Sequence, residues 1–261
     1  MRLDEARATF ATVDTSRQTV TGMVHSWDLS TAVDGPGARL VLFLSGCPLR
    51  CLYCQNPDTW SERDGAPTSV DDVLRKLRRY RALFERTGGG ITISGGEPLL
   101  QPKFTAAVFR ACAEEGIATA LDTSGALGAR ATDELLLDTD LVLLDIKSFA
   151  PTTYARITGG AEVAPTLRFA RRLAGLERRV WIRFVLVPGL NDSPDNVEPL
   201  ADFVADLGNI ERVDVLPFHT LAVPKYQALG LPFPLAGRPA PTPEQTAHVR
   251  SRFAARGLTV T

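Results

Sequence analysis

The chain of 261 residues carries 29 Lys and Arg against 30 Asp and Glu, a formal net charge of −1, with 44% apolar and 23% charged residues. That balance suits one soluble domain with a sizeable core and excludes binding to nucleic acid or anionic membrane by bulk charge. No apolar run approaches the roughly 20 residues of a membrane-spanning helix, and Met1 to Val20 lacks the apolar core of a secretory signal, so a cytoplasmic protein without disulfides is expected.

Residues 1–20 read as a loosely held N-terminal extension and 21–261 as a single domain, with no repeat, low-complexity tract or linker. A first strand, Leu40 to Leu44, runs into Ser45-Gly-Cys-Pro-Leu-Arg-Cys-Leu-Tyr-Cys-Gln-Asn-Pro, which holds Cys47, Cys51 and Cys54, three of the 4 cysteines. In a reducing compartment, thiols this close are metal or redox groups before they are bridges. Zinc would need a fourth Cys or His, commonly from a second knuckle, whereas His25, His219 and His248 stand alone. A four-iron cluster normally takes four thiolates, so three leave one iron open to a substrate.

Val70, Val73, Leu74, Leu77 and Phe84 make a helical stripe. The same segment carries Arg75, Lys76, Arg78, Arg79, Arg81 and Arg86, ordinarily a solvated face, alternatively a dock for an acidic partner. The second strand, Ile91 to Ile93, ends in Ser94-Gly95-Gly96-Glu97-Pro98. Strand-end glycines let backbone approach a ligand, or simply make a tight turn. Phe104, Ala107, Val108, Ala111 and Cys112 recur at helix spacing, so Cys112 reads as a buried core thiol. The strands Ala118 to Leu121 and Leu141 to Leu144 end in Asp122-Thr123-Ser124 and Asp145-Ile146-Lys147. Those at Val180 to Val187 and Val213 to Leu216 end in Pro188-Gly189-Leu190-Asn191 and Pro217-Phe218-His219. A helix starting near Pro194 carries Val197, Leu200, Ala201, Val204 and Leu207, and Thr242-Pro243-Glu244-Gln245 has the form of a capping box opening a last helix with Val249 and Phe253.

Strand and helix in alternation argue for a parallel sheet with covering helices. Polar groups gathered at the C-terminal ends of strands are the arrangement of barrel enzymes. Six units are fewer than eight, so the expected fold is α/β, a partial, open (β/α)6 barrel of TIM type whose side mouth admits a large substrate. Taken singly, Asp122 and Asp145 also fit as helix caps, Lys147 as a snorkelling lysine, His219 as a satisfied buried histidine and Tyr53 as a packed aromatic.

Cys47-x3-Cys51-x2-Cys54, with Tyr53 before the last cysteine and Gly95-Gly96-Glu97-Pro98 on the second strand, resembles the radical S-adenosylmethionine (SAM) enzymes. The likeness runs from about Gly22 to the C-terminus. Val33-Asp-Gly-Pro-Gly37, Leu52-Tyr-Cys-Gln-Asn-Pro-Asp-Thr-Trp60, Leu121-Asp-Thr-Ser-Gly125, Val180-Trp-Ile-Arg183 and Leu216-Pro-Phe-His219 narrow it to the glycyl-radical-enzyme activases, nearest the pyruvate formate-lyase-activating branch.

The resemblance implies a [4Fe-4S] cluster on Cys47, Cys51 and Cys54, with SAM on the fourth iron. It implies reductive cleavage of SAM and removal of a hydrogen atom from a glycine of a partner enzyme, pyruvate formate-lyase. Gly95, Gly96 and Glu97 would support the methionyl amino group, Lys147 and His219 would contact SAM, and Tyr53 would lie near the adenine. Asp122, Thr123, Asp145 and the Leu143 carbonyl would hold a monovalent cation, Na+ or K+, for which oxygen ligands are suited. The Asp34-Gly35-Pro36-Gly37 turn would lie near the entering peptide, reduced flavodoxin or a similar carrier would donate the electron, and the chain would act as a monomer.

Gln55 departs from the family, whose members usually carry His there, and the N-terminal extension has no counterpart in the resemblance. Two alternatives stand beside this reading. One is an activase of another glycyl-radical enzyme, although many of those carry a cysteine-rich insert and no cysteine lies between Cys54 and Gly88. The other is a non-catalytic iron–sulfur or zinc-binding interaction protein.

Overall fold

The computed structural model describes residues 20–31 and 33–261. The expected N-terminal extension therefore lies outside the described residues, apart from Val20. The first half of the chain runs β1 (Thr21–Thr31), β2 (Ala38–Leu44), β3 (Ala66–Ser69), α1 (Val70–Arg78), α2 (Arg81–Thr87), β4 (Gly90–Gly95), α3 (Pro102–Glu114) and β5 (Ala118–Thr123). The second half runs α4 (Asp133–Leu137), β6 (Leu141–Asp145), α5 (Pro151–Thr158), α6 (Ala164–Gly175), β7 (Val180–Leu186), α7 (Pro194–Asp206), β8 (Ile210–Pro217), α8 (Val223–Ala228) and α9 (Pro243–Ala254).

All eight strands form one open sheet in the order β3-β1-β2-β4-β5-β6-β7-β8. From β2 to β8 every neighbouring pair is parallel, which gives the six strands expected from the apolar runs. Those runs are continuous because a parallel strand is buried on both faces. Outside it, Val73, Leu77, Phe104, Val108, Leu200, Val204 and Phe253 pack against Leu42, Ile93, Leu121, Leu144 and Phe184. Inside the curve of the sheet, Ala120, Leu141, Leu143 and Trp181 form a separate apolar plug. Cys112 sits in the outer core at 0% exposure, as its helical spacing predicts.

The sequence reading missed the antiparallel flange, in which β1 pairs with β2 on one side and β3 on the other. It also missed the capping box of α1, where Ser69 and the side chain of Asp72 satisfy each other's backbone amides. The box at Thr242 and Gln245 opens α9 as expected. On α1 and α2 half of the basic residues are ion-paired: Arg75 with Asp72 at 2.6 Å, Arg78 with Glu115 at 2.5 Å and Arg81 with Glu85 at 3.1 Å. Lys76 lies 4.4 Å over the Trp27 ring. No helix among the described residues is long and apolar enough to cross a membrane.

Candidate active site

A parallel sheet delivers all its strand C-termini to one rim, so the side chains just past each strand converge there. Between that rim and the loop after β2 lies a cavity of about 360 Å³. Its walls include Cys47, Cys51, Tyr53 and Cys54 from the loop, Gly95, Gly96 and Glu97 after β4, Asp122 and Thr123 on β5, Asp145 and Lys147 at β6, and His219 after β8. Every residue expected from the sequence to hold the cluster, SAM or the cation is thus brought together except Leu143, while the Asp34-Gly35-Pro36-Gly37 turn is not part of the wall. Leu143 is fully buried, with its side chain in the inner plug, and is not part of the wall.

The cysteine loop is tied down through its backbone amides. Gly46 N–H donates to Thr59 O at 2.7 Å, Cys47 N–H to Trp60 O at 3.1 Å, and Arg50 and Leu52 N–H to the end of α5, at Thr158 O and Ile157 O, each 2.9 Å. The three thiols are free. Burial, with Glu97 nearby, pushes Cys47 up to about 12, although the Leu49 N–H acts the other way. Burial pushes Cys51 up to about 11 against the charge of Lys147, and raises Cys54 against N–H donors from Asn56 and Trp60. Such thiols are neutral until a cation displaces their protons, which is the behaviour of ligands loaded by iron. Among the described residues no three His, Cys, Asp or Glu side chains converge on a single-ion position.

A knot ties this loop to β4 and β5. Gly96 N–H donates to Leu44 O and Glu97 N–H to Gly46 O, both at 2.8 Å. The Glu97 carboxylate, 1% exposed, accepts from Leu99 N–H at 3.1 Å and Thr123 Oγ1 at 2.6 Å on one oxygen, and from Ser124 N–H at 3.0 Å and Ser124 Oγ at 2.6 Å on the other. A Cβ at Gly96 would stand 2.1 Å from Gly46 O. Gly96→Ala must therefore push the loop off β4, and we expect it to lose about 1–3 kcal/mol. For a domain this size that is a melting temperature lower by roughly 2–12 °C. A thermal melt within a degree of the parent would refute the close approach.

Four charges line the deeper wall, Lys147 buried and the other three partly buried. Arg183 on β7 faces Asp145 in register, with Nη1 3.1 Å from Asp122 and Nε 3.8 Å from Asp145. Lys147 Nζ pairs with Asp145 at 2.9 Å and lies 5.7 Å from the Tyr53 ring centroid. Ser94 Oγ donates to Asp122 at 2.6 Å. Burial pushes Asp122 up to about 6 against the pull of Arg183. Burial also acts to raise Asp145, but Lys147 and Arg183 outweigh it and hold that carboxyl below the usual range. Asp145 in turn raises Lys147 despite its burial. Buried Arg183 Nη1 is ion-paired with Asp122 but makes no aligned hydrogen bond, and the hydroxyl of buried Tyr53 makes none either.

Sequence reading gave no site role to Arg183, Ser94, Ser124 or Trp60. The signal for Arg183 was available, since a charge within an otherwise apolar parallel strand requires a partner. Gln55, the departure from the family pattern, bridges two rim segments. Its side-chain amide donates to Tyr53 O at 3.1 Å and His219 O at 3.3 Å.

The sequence profile of the Radical SAM superfamily matches residues 41–204. The chain is 44% identical over 216 residues to the pyruvate formate-lyase-activating enzyme of Clostridium pasteurianum, covering 83% of this chain and 90% of that one. It is 41% identical over 233 residues to pyruvate formate-lyase 1-activating enzyme of Escherichia coli strain K12, covering 88% and 94%. Among solved structures, a domain of a pyruvate-formate lyase-activating enzyme from Bacteroides vulgatus superposes with a TM-score of 0.56 at 27% identity, covering 66% of this chain and 98% of that one. SuiB from Streptococcus suis with S-adenosylmethionine gives 0.61 at 16% identity over 82% of this chain and 47% of that one, a likeness of fold. The chain belongs to the radical SAM superfamily and, within it, to the family of pyruvate formate-lyase-activating enzymes.

Proposed function

We propose that this chain cleaves SAM reductively and removes a hydrogen atom from a glycine of pyruvate formate-lyase, installing the glycyl radical on which that enzyme depends. The observation that carries the reading is the opening of three free thiols of one loop into the same cavity as the strand-end groups. When bound, the cluster and SAM supply the chemistry: one electron breaks a carbon–sulfur bond of SAM, and the deoxyadenosyl fragment takes the glycine hydrogen.

Cys47, Cys51 and Cys54 hold the [4Fe-4S] cluster as thiolates, releasing their protons as it loads. The carboxylate of Glu97 is already filled by four donors, so the methionyl amino group falls to the backbone of Gly95, Gly96 and Glu97. Lys147 and Arg183, both on the cavity wall, serve the methionyl carboxylate. Tyr53 and His219 border the adenosyl end. Asp122, Thr123 and Asp145, with the Leu143 carbonyl, are assigned to Na+ or K+, a cation that must share the two carboxylates with Arg183 and Lys147.

The partner's glycine must come within about 3–3.5 Å of the reacting carbon. A loop of pyruvate formate-lyase therefore leaves its own fold to reach the cavity, past the Asp34-Gly35-Pro36-Gly37 turn. The electron comes from reduced flavodoxin or a similar acidic carrier, and the chain works as a monomer in the cytoplasm. With Arg75, Arg78 and Arg81 paired internally, the basic face of α1 and α2 contributes less to that docking than its composition suggests.

Mixing the reduced, cluster-loaded protein with SAM and pyruvate formate-lyase under anaerobic conditions is expected to give a glycyl-radical doublet in the electron paramagnetic resonance (EPR) spectrum. SAM cleavage without the doublet would move the assignment to a different glycyl-radical partner.

A further inference from the structure

The cysteine loop borders two separate hollows. Cys51, Tyr53 and Cys54 line the cavity, whereas Leu52, set between the first two, lines a groove of about 530 Å³ that shares no wall residue with it. Beside Leu52 stand Arg156 of α5 and Pro234, Leu235, Arg238 and Pro239 of the segment before α9.

The groove is built in advance. Residues 231–243 carry five prolines, whose fixed φ stiffens the segment. Phe233 pins it, stacking on Phe218 at 6.2 Å and 4° and meeting Tyr226 at 5.0 Å. Half-buried Leu52 packs against the same apolar cluster, which includes Leu235. The Leu52 N–H, bonded to Ile157 O at 2.9 Å, holds the loop against the helix that carries Arg156.

Its charge is of one sign, with no acidic side chain on the wall. Arg156 is exposed, and its side chain has no partner among the described residues. Arg238 donates to Pro188 O. Arg50, two residues before Leu52 and also exposed, donates to Cys47 O at 2.7 Å and Leu49 O at 2.8 Å. These arginines bond backbone carbonyls or nothing, so their charge is left for a partner, unlike that of Arg75, Arg78 and Arg81.

We infer that this groove is the docking surface for an acidic one-electron carrier, which delivers its electron to the cluster across the cysteine loop at Leu52. This rests on the reading of Cys47, Cys51 and Cys54 as cluster ligands. A small apolar centre flanked by unpaired cations suits a brief encounter steered by charge. One electron leaves the reduced carrier for the cluster, and no bond forms or breaks on this chain. Because the groove and the cavity share no wall residue, the carrier docks while SAM and the partner's glycine loop occupy the cavity.

Fully reduced flavodoxin is the probe, added to reconstituted holoprotein. Arg156→Glu breaks no side-chain contact, so it tests the surface without disturbing the fold. Flavodoxin affinity, measured by calorimetry at low salt, should fall about tenfold in this variant, lose most of its dependence on ionic strength, and recover in Arg156→Lys. Cluster reduction by flavodoxin should slow in step, while reduction by photogenerated 5-deazaflavin radical, small and uncharged, should match the wild type. Unchanged flavodoxin affinity and reduction rate in Arg156→Glu overturn this inference alone, as does an equal slowing with the deazaflavin radical. A wild-type chain that binds no iron overturns the proposed function and this inference with it.

Discussion

Cys51→Ala is expected to abolish iron binding after anaerobic reconstitution, and with it SAM cleavage, whereas Cys112→Ala keeps both. The two thiols are equally inert by titration, since burial pushes Cys51 up to about 11 and Cys112 up to about 12. Position separates them: Cys51 opens on the cavity, and Cys112 is enclosed by the helices and strands of the outer core. Removing the Cys112 sulfur costs about 1 kcal/mol of packing and no ligand. Iron per chain, measured on both variants, decides. Iron lost from Cys112→Ala but retained by Cys51→Ala would reverse the assignment.

Exchanging Asp122 and Asp145 together for alanine is expected to be the most damaging change at the deeper wall. It leaves buried Lys147 and partly buried Arg183 without either counter-charge, and a buried pair broken from one side costs about 3–5 kcal/mol. That is a large share of the roughly 5–15 kcal/mol that holds a domain folded. A steep fall in melting temperature and loss of SAM binding by calorimetry should appear together, and unchanged values of both would refute the four-charge arrangement. Asp122→Asn is the milder probe. Burial raises that carboxyl from 3.8 to about 6, so the folded state binds the proton more tightly than the unfolded one, and its contribution to stability declines as pH rises through that window. The asparagine variant should lose that slope. Asp145, held below its usual range, contributes in the opposite sense, its share being lost only as the pH falls below the ordinary aspartate value.

The parallel body was legible because burial on both faces writes itself as apolar runs, such as Leu40 to Leu44 and Leu141 to Leu144. The flange was not. Thr21–Thr31 mixes Thr, His, Ser and Asp with its apolar residues and is half exposed along its second half, while Pro67 sits on an edge strand, where the missing N–H is tolerated. At the site, residues just past the strands were readable because a parallel sheet sends them to one rim. The buried charge of Arg183 signalled a partner, but which partner it meets, and the role of Ser94, depend on cross-strand register: Arg183 lies opposite Asp145 and Ser94 opposite the Asp122 carboxylate. Glu97 was placed at the site by its motif. Its four donors come from residues 99, 123 and 124 and depend on the fold of two separate turns.

The knot at Glu97 also governs how this region breathes. Its amide hangs from Gly46 beside the first thiol, the neighbouring amide of Gly96 hangs from β2, and its carboxylate clamps the amide of Ser124 beyond β5. Segments joined this way open as one cooperative unit rather than fray separately. On the proposed assignment, a fluctuation wide enough to release iron from Cys47 would also unmake the turn assigned to SAM, so the two cofactors would be retained, and lost, on a single clock.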